Sequence, residues 1–134
     1  MSAARPFLAA FLTWICPGLG HALVGRRGKA LYFFSLVVGL FVVGMAFADF
    51  RNVSFSRHPY FSIAYVFAGG PTAVALLTTG SLAVVTDMNP DLGCLLTAVA
   101  GLLNVLVMID AYTIAEDAAD RDAPKAAETR AEAA

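Results

Sequence analysis

Charged side chains are missing from four long stretches of the chain, at positions 6–25, 30–48, 59–86 and 92–109. None of them contains Asp, Glu, Lys or Arg. Crossing roughly 30 Å of hydrocarbon as a helix takes about 20 apolar residues, and these stretches approach or exceed that length. A stretch such as "LYFFSLVVGLFVVGMAFA" is apolar on every face, with no period-2 alternation to suggest a strand. Backbone in lipid must satisfy its own hydrogen bonds, so helices are expected. The pattern predicts an all-α integral membrane protein with four transmembrane helices over residues 1–115, followed by a charged, Ala-rich tail over 116–134.

Two of the stretches carry breaks. Pro17 lacks an N–H and its ring clashes with the carbonyl of Thr13, so the first span should kink or end there, helped by Gly18 and Gly20. In "FAGGPTAV", Gly69 and Gly70 suit a helix end and Pro71 the first turn of a new helix. The first and third spans are therefore expected to be kinked or broken at Pro17 and Pro71. "DMNPDLG" is turn chemistry, with Asn89 or Asp91 placed to cap the fourth helix. The tail should extend that helix to Pro124 and then become a solvated end.

Composition agrees with the pattern. The chain is 134 residues, 59% hydrophobic and 14% charged, with mean hydropathy +0.73. A soluble domain carries about a quarter charged residues. Arg5 followed by positions 7–16 looks like a signal sequence, but no small-x-small cleavage site follows, so a retained span is expected. Cys16 and Cys94 lie beside or within apolar runs and form no CxxC, which fits small buried hydrophobes better than a metal or redox pair.

Charge placement decides orientation poorly. The turn between the first two spans holds Arg26, Arg27 and Lys29; the opposite side of a four-span protein would hold Arg5, Arg51 and Arg57, plus the tail bases Arg121, Lys125 and Arg130. Total Lys and Arg favour both termini in the cytoplasm of a cell whose inner membrane holds the protein. That assignment fails if the first run dips into the membrane and returns.

The stretch "PGLGHALVGRRGK" is the strongest candidate for chemistry. As a dinucleotide loop it has Leu23 where the third glycine belongs; as a Walker loop it has Arg26 and Arg27 after Gly25, where Lys and Ser or Thr belong. It reads instead as a membrane turn. Gly18 and Gly20 allow close helix packing, while Arg26, Arg27 and Lys29 sit at headgroup level. His21 is the one residue in it that a turn does not require. Elsewhere, Thr97, Gly101, Asn104, Met108 and Ala111 recur every three or four residues, a stripe expected to pack against other helices with Asn104 as polar glue. Intramembrane polar groups are functional candidates, which adds His21, Asn104 and Asp110, with Asp49 at the end of the second span. Asp110, near the end of its span, is placed to pair with a base of the turn or tail, or to meet water at the interface. His21 and His58 are the only histidines, and no cluster offers metal ligands or a catalytic pair.

Two resemblances follow from these residues. Gly18-Leu-Gly20-His21 followed by Val24-Gly25-Arg26 is similar to the signature of a bacterial two-transmembrane-helix domain, although Ala22-Leu23 replaces its usual aromatic pair. "PGLGH…GRRGKAL", "FAGGP" and "DLG…TAVAGLLNVLVMIDAYTIA" together resemble an uncharacterised bacterial family of small four-span membrane proteins over about residues 6–115. The most specific positions are Asp91, Gly93, Gly101, Asn104, Asp110 and Ala111. This resemblance implies an architecture and no activity. The expected role is a structural or accessory subunit, or scaffold, that contacts membrane lipids and packs with other membrane proteins or itself. No cofactor, metal or nucleic acid is expected. The alternatives are a small oligomeric transporter or channel, and a lipid-interacting membrane enzyme using His21 and the basic turn.

Overall fold

The computed structural model describes residues 4–48, 59–78 and 90–132, and every regular element among them is helical. The helices are α1 (Ala4–Ile15), α2 (Leu19–Leu23), α3 (Arg27–Phe47), α4 (Pro59–Ala68), α5 (Gly70–Thr78) and α6 (Pro90–Glu132).

The first apolar run is two helices, and the second doubles back. α1 stops at Ile15, and Pro17 and the left-handed Gly18 (φ +86°) lie between it and α2. The Thr13 hydroxyl donates to the Ala9 carbonyl at 2.9 Å and accepts the Gly20 N–H at 3.1 Å. In a continuous helix residues seven apart are about 10 Å apart along the axis, so this contact requires reversal. Gly20 is the residue that permits it, because a Cβ there would fall on the Ala9 carbonyl oxygen. α2 then ends in a Schellman motif: Arg26 N–H donates to the His21 carbonyl at 2.9 Å and Gly25 N–H to Ala22 at 3.0 Å, with Gly25 at φ +80°.

The third run breaks at Gly69 (φ +62°), whose N–H donates to the Val66 carbonyl at 3.1 Å. Pro71 falls in the first turn of α5. The turn is sharp enough to bring the Thr72 hydroxyl to the Tyr65 carbonyl, 2.6 Å away and seven residues back.

α6 is the spine. It meets α3 antiparallel, with Gly44 of α3 against Thr97 and Gly93, and Lys29 at the other end of α3 near Asp110. α1 is also antiparallel to it: Phe7 meets Tyr112 edge-on at 5.3 Å and Arg5 reaches Asp122. α4 runs parallel, with Ala64 on Gly101 and the Phe67 carbonyl on Asn104. Its buried face is a stripe of mostly small residues (Gly93, Thr97, Gly101, Asn104, Ala111, Ala115) at spacings of three to seven. Small residues on this face let neighbouring backbones come close, as where a Cβ at Gly101 would fall on the Ala64 carbonyl oxygen.

The expectation of four spanning helices is not met among the described residues. Two helices are long and apolar enough to cross a membrane: Arg27–Phe47 and Asp91–Pro124. The pieces of the first and third runs have 12, 5, 10 and 9 residues, against the 20 or so a span needs. Backbone breaks shortened them. α1 and α2 form a dip whose two ends lie toward one end of α6. α4 begins, as α6 does, toward the other end. The tail also differs from expectation, because α6 continues through Pro124 to Glu132. Proline there forfeits one backbone bond, to the Asp120 carbonyl, in an Ala-rich stretch of high helix propensity.

Gly101→Ala places a Cβ on the backbone carbonyl oxygen of Ala64 and should cost about 1–3 kcal/mol by overpacking. Gly39→Ala meets nothing within 4 Å and should be neutral or stabilising. Thermal unfolding of both variants in detergent checks the contrast; equal midpoints would contradict the packing described.

Candidate functional site

Two polar constellations lie inside this apolar protein. The first surrounds the break in the third run. A helix leaves its last four carbonyls without intrahelical donors, and for Phe67 the residue four further on is Pro71, which has no N–H. Three side chains from three different helices supply donors to three consecutive carbonyls. Thr72 of α5 serves Tyr65, the Trp14 indole of α1 serves Val66 at 2.9 Å, and the Asn104 amide of α6 serves Phe67 at 3.0 Å. Gly69 and Gly70 bring the break against the carbonyls of Trp14 and Ile15, where any Cβ would collide. Asn104 is completely buried and its Oδ1 has no hydrogen-bond partner. Asn104 thus does join helices, although its partner is a backbone carbonyl rather than another side chain.

The second constellation lies about 9 Å further along α6, six residues beyond Asn104. His21 is fully buried, and its Nε2 is 2.7 Å from Asp110 Oδ2, while Lys29 Nζ approaches the same oxygen at 3.4 Å. The Phe33 ring packs beside the imidazole at 5.0 Å. With the proton on Nε2, His21 donates to the carboxylate and presents an unpartnered Nδ1 lone pair to its buried surroundings. Asp110 thus meets both Lys29 of the turn and His21. The pair ties the returning α2 to α6 across 89 residues of sequence.

The remaining candidates fall into place around these. Gly18 packs on the Ala30 carbonyl and Gly20 on Ala9, so both are helix-packing positions. The Thr97 hydroxyl donates to the Gly93 carbonyl at 2.9 Å beside Gly44. Arg26 and Arg27 are exposed at the end of the molecule where Arg5, Lys29 and Asp122 also lie. Asp49 and His58 lie outside the described residues. Cys94 is buried, Cys16 is half-buried and both thiols are free. Among the described residues no three His, Cys, Asp or Glu side chains group to hold a metal ion.

Sequence reasoning missed Trp14 and Thr72. The signal for Trp14 was present: an indole N–H in an apolar run requires an acceptor. For Thr72 it was the adjacent proline, which marks nearby carbonyls in need of donors.

Residues 8–123 match the model of a family of unknown function, DUF6677. No curated protein and no solved structure matches the chain.

His21→Phe keeps a ring in place while removing the bond to Asp110, and should destabilise by about 1–3 kcal/mol. Lys29→Met removes a half-exposed pairing and should cost less than about 1 kcal/mol. Unfolding midpoints in detergent rank the two; a larger loss for Lys29→Met would show that His21 is not the principal tie.

Proposed function

The chain belongs to the family DUF6677, whose function is unknown, and we propose from its geometry that it is an accessory membrane protein receiving a transmembrane helix of a larger partner. The observation that carries this reading is a lateral groove. Between α3 and α5 the surface opens into a cavity of about 600 Å³. Ile15, Phe34, Val38, Val42, Val74 and Ala75 line it among others, and nothing charged does. Pro17, Gly70, Ala73 and Ala75 keep parts of its wall low, and small residues are what allow another helix backbone to come close. α3 is one of the two helices long enough to span, so the groove lies at hydrocarbon depth.

The same geometry argues against the transporter alternative. The carbonyls of Tyr65, Val66 and Phe67 at the break are each bonded within the protein, which leaves no ladder of acceptors for an ion or substrate. Small residues and large exposed apolar side chains on every long helix fit a protein that completes itself by association.

The returning α2 also sharpens orientation. It brings Arg26, Arg27 and Lys29 to the end of α6 that carries Arg121 and that Arg5 of α1 also meets. Bases that would oppose one another in a four-span topology here add up. The positive-inside tendency then favours placing that end, with the N-terminus, the basic turn and the tail, in the cytoplasm.

A photo-crosslinking amino acid at Val42 or Val74 should give an adduct whose partner peptide lies in a membrane-spanning helix of another protein. The same probe at Leu106, outside the groove, should not, and Ala75→Trp should abolish co-purification of that partner. Adducts with lipid alone, or with a second copy of this chain, would overturn the reading. For orientation, a single cysteine at Gly28 in a Cys16→Ser/Cys94→Ser background should react with a membrane-impermeant maleimide only once the cytoplasmic face is opened. Labelling of intact cells would reverse the assignment.

A further inference from the structure

A second cavity, about 460 Å³, lies at the basic end between α1 and α6, beside the turn that follows α2. Its character is divided. Leu8, Leu23, Val24 and Ala115 form apolar walls, while Arg5 and Asp122 stand together at the rim, 3.4 Å apart. From Ala115 to Asp122 the helix rises about 10 Å, comparable with the headgroup layer on one side of a bilayer. Beyond Asp110, α6 is apolar for one more turn before charges become frequent from Glu116, and Tyr112, a residue type enriched at the interface, lies in that turn. The cleft therefore straddles the border between acyl chains and headgroups.

From this juxtaposition we propose that the cleft binds the headgroup of a zwitterionic aminophospholipid. The phosphate diester would pair with the Arg5 guanidinium, the primary ammonium with the Asp122 carboxylate, and the glycerol and first acyl carbons with Leu8, Leu23 and Val24. The charge pattern selects this class. A purely anionic headgroup would gain Arg5 but face Asp122 beside it. A quaternary ammonium has no N–H to give the carboxylate, whereas a primary ammonium has three donors. The existing Arg5–Asp122 pair is no obstacle, because both side chains are largely exposed and such a pair contributes little on its own. In the complex each charge keeps an opposite partner. The interior does not use this site: His21, Lys29 and Asp110 form their own cluster.

The test is lipid retention by native mass spectrometry after incubating the detergent-purified protein with equimolar phosphatidylethanolamine, phosphatidylglycerol and phosphatidylcholine. Phosphatidylethanolamine adducts should exceed each of the others at least about fivefold. Asp122→Asn should remove that preference, and Ala118→Trp, which fills the cleft, should remove the adduct. The exchange Arg5→Asp/Asp122→Arg keeps an ion pair within the chain but reverses the charge order against the depth of the headgroup. It should lose the selectivity with an unchanged unfolding midpoint, which separates binding from folding. Equal retention of phosphatidylcholine, preference for phosphatidylglycerol, or selectivity that survives Asp122→Asn would each overturn the proposal.

Discussion

The structure depends on supplying hydrogen-bond donors where a helix breaks among apolar side chains. Breaking a helix at Gly69 frees carbonyls that are costly to leave unpaired in such surroundings. Pro71 ensures that one of them, on Phe67, has no backbone donor at the usual place. The three donors come from Thr72, Trp14 and Asn104, which belong to α5, α1 and α6. One local break thus fixes the relative positions of four helices. Because each bond is to backbone, it specifies depth and rotation as well as proximity.

The same economy shapes α6. Its inner stripe uses Gly93, Gly101 and small side chains so that neighbouring backbones can approach, and its polar members Thr97 and Asn104 donate to the carbonyls of Gly93 in their own helix and Phe67 of α4. Burial of large side chains is a minor theme: Tyr65, Phe41 and Met45 make up the bulk of one modest cluster with several alanines. A core of this kind holds helices in register but leaves large apolar surfaces outward. The groove between α3 and α5 is the place where that surface becomes concave, and the basic end is where it meets charge.

The doubling back of α2 has a consequence for electrostatics. Once α2 returns, the bases of the turn and Arg5 share one end of the molecule with the tail, and Asp110 and Asp122 are the acids that meet them. His21 completes this end from inside. It closes the gap between a five-residue helix and the spine, which a helix that short could not hold by packing alone.

Much of this was legible in the chain. Uninterrupted apolar runs exclude strands and point to membrane helices, because helices alone satisfy a single segment's backbone in lipid. Pro17, Gly18, Gly69 and Pro71 mark the breaks by their own covalent limits. The recurrence of Thr97, Gly101, Asn104 and Ala111 marks the packing face of α6 by its helical period. What the sequence could not determine was direction after each break. Hydropathy reads the same for a chain that continues through the membrane and one that turns back, so pieces shorter than a span passed for spans. The left-handed glycines permit a change of direction; the Gly20–Thr13 contact turns α2 back on α1, and the Thr72–Tyr65 contact bends the chain at the second break. Likewise His21 had no evident purpose until its partner, 89 residues away, came within 2.7 Å. Local chemistry sets where a helix must stop; only the packing of distant segments sets where the chain goes next and which polar groups meet.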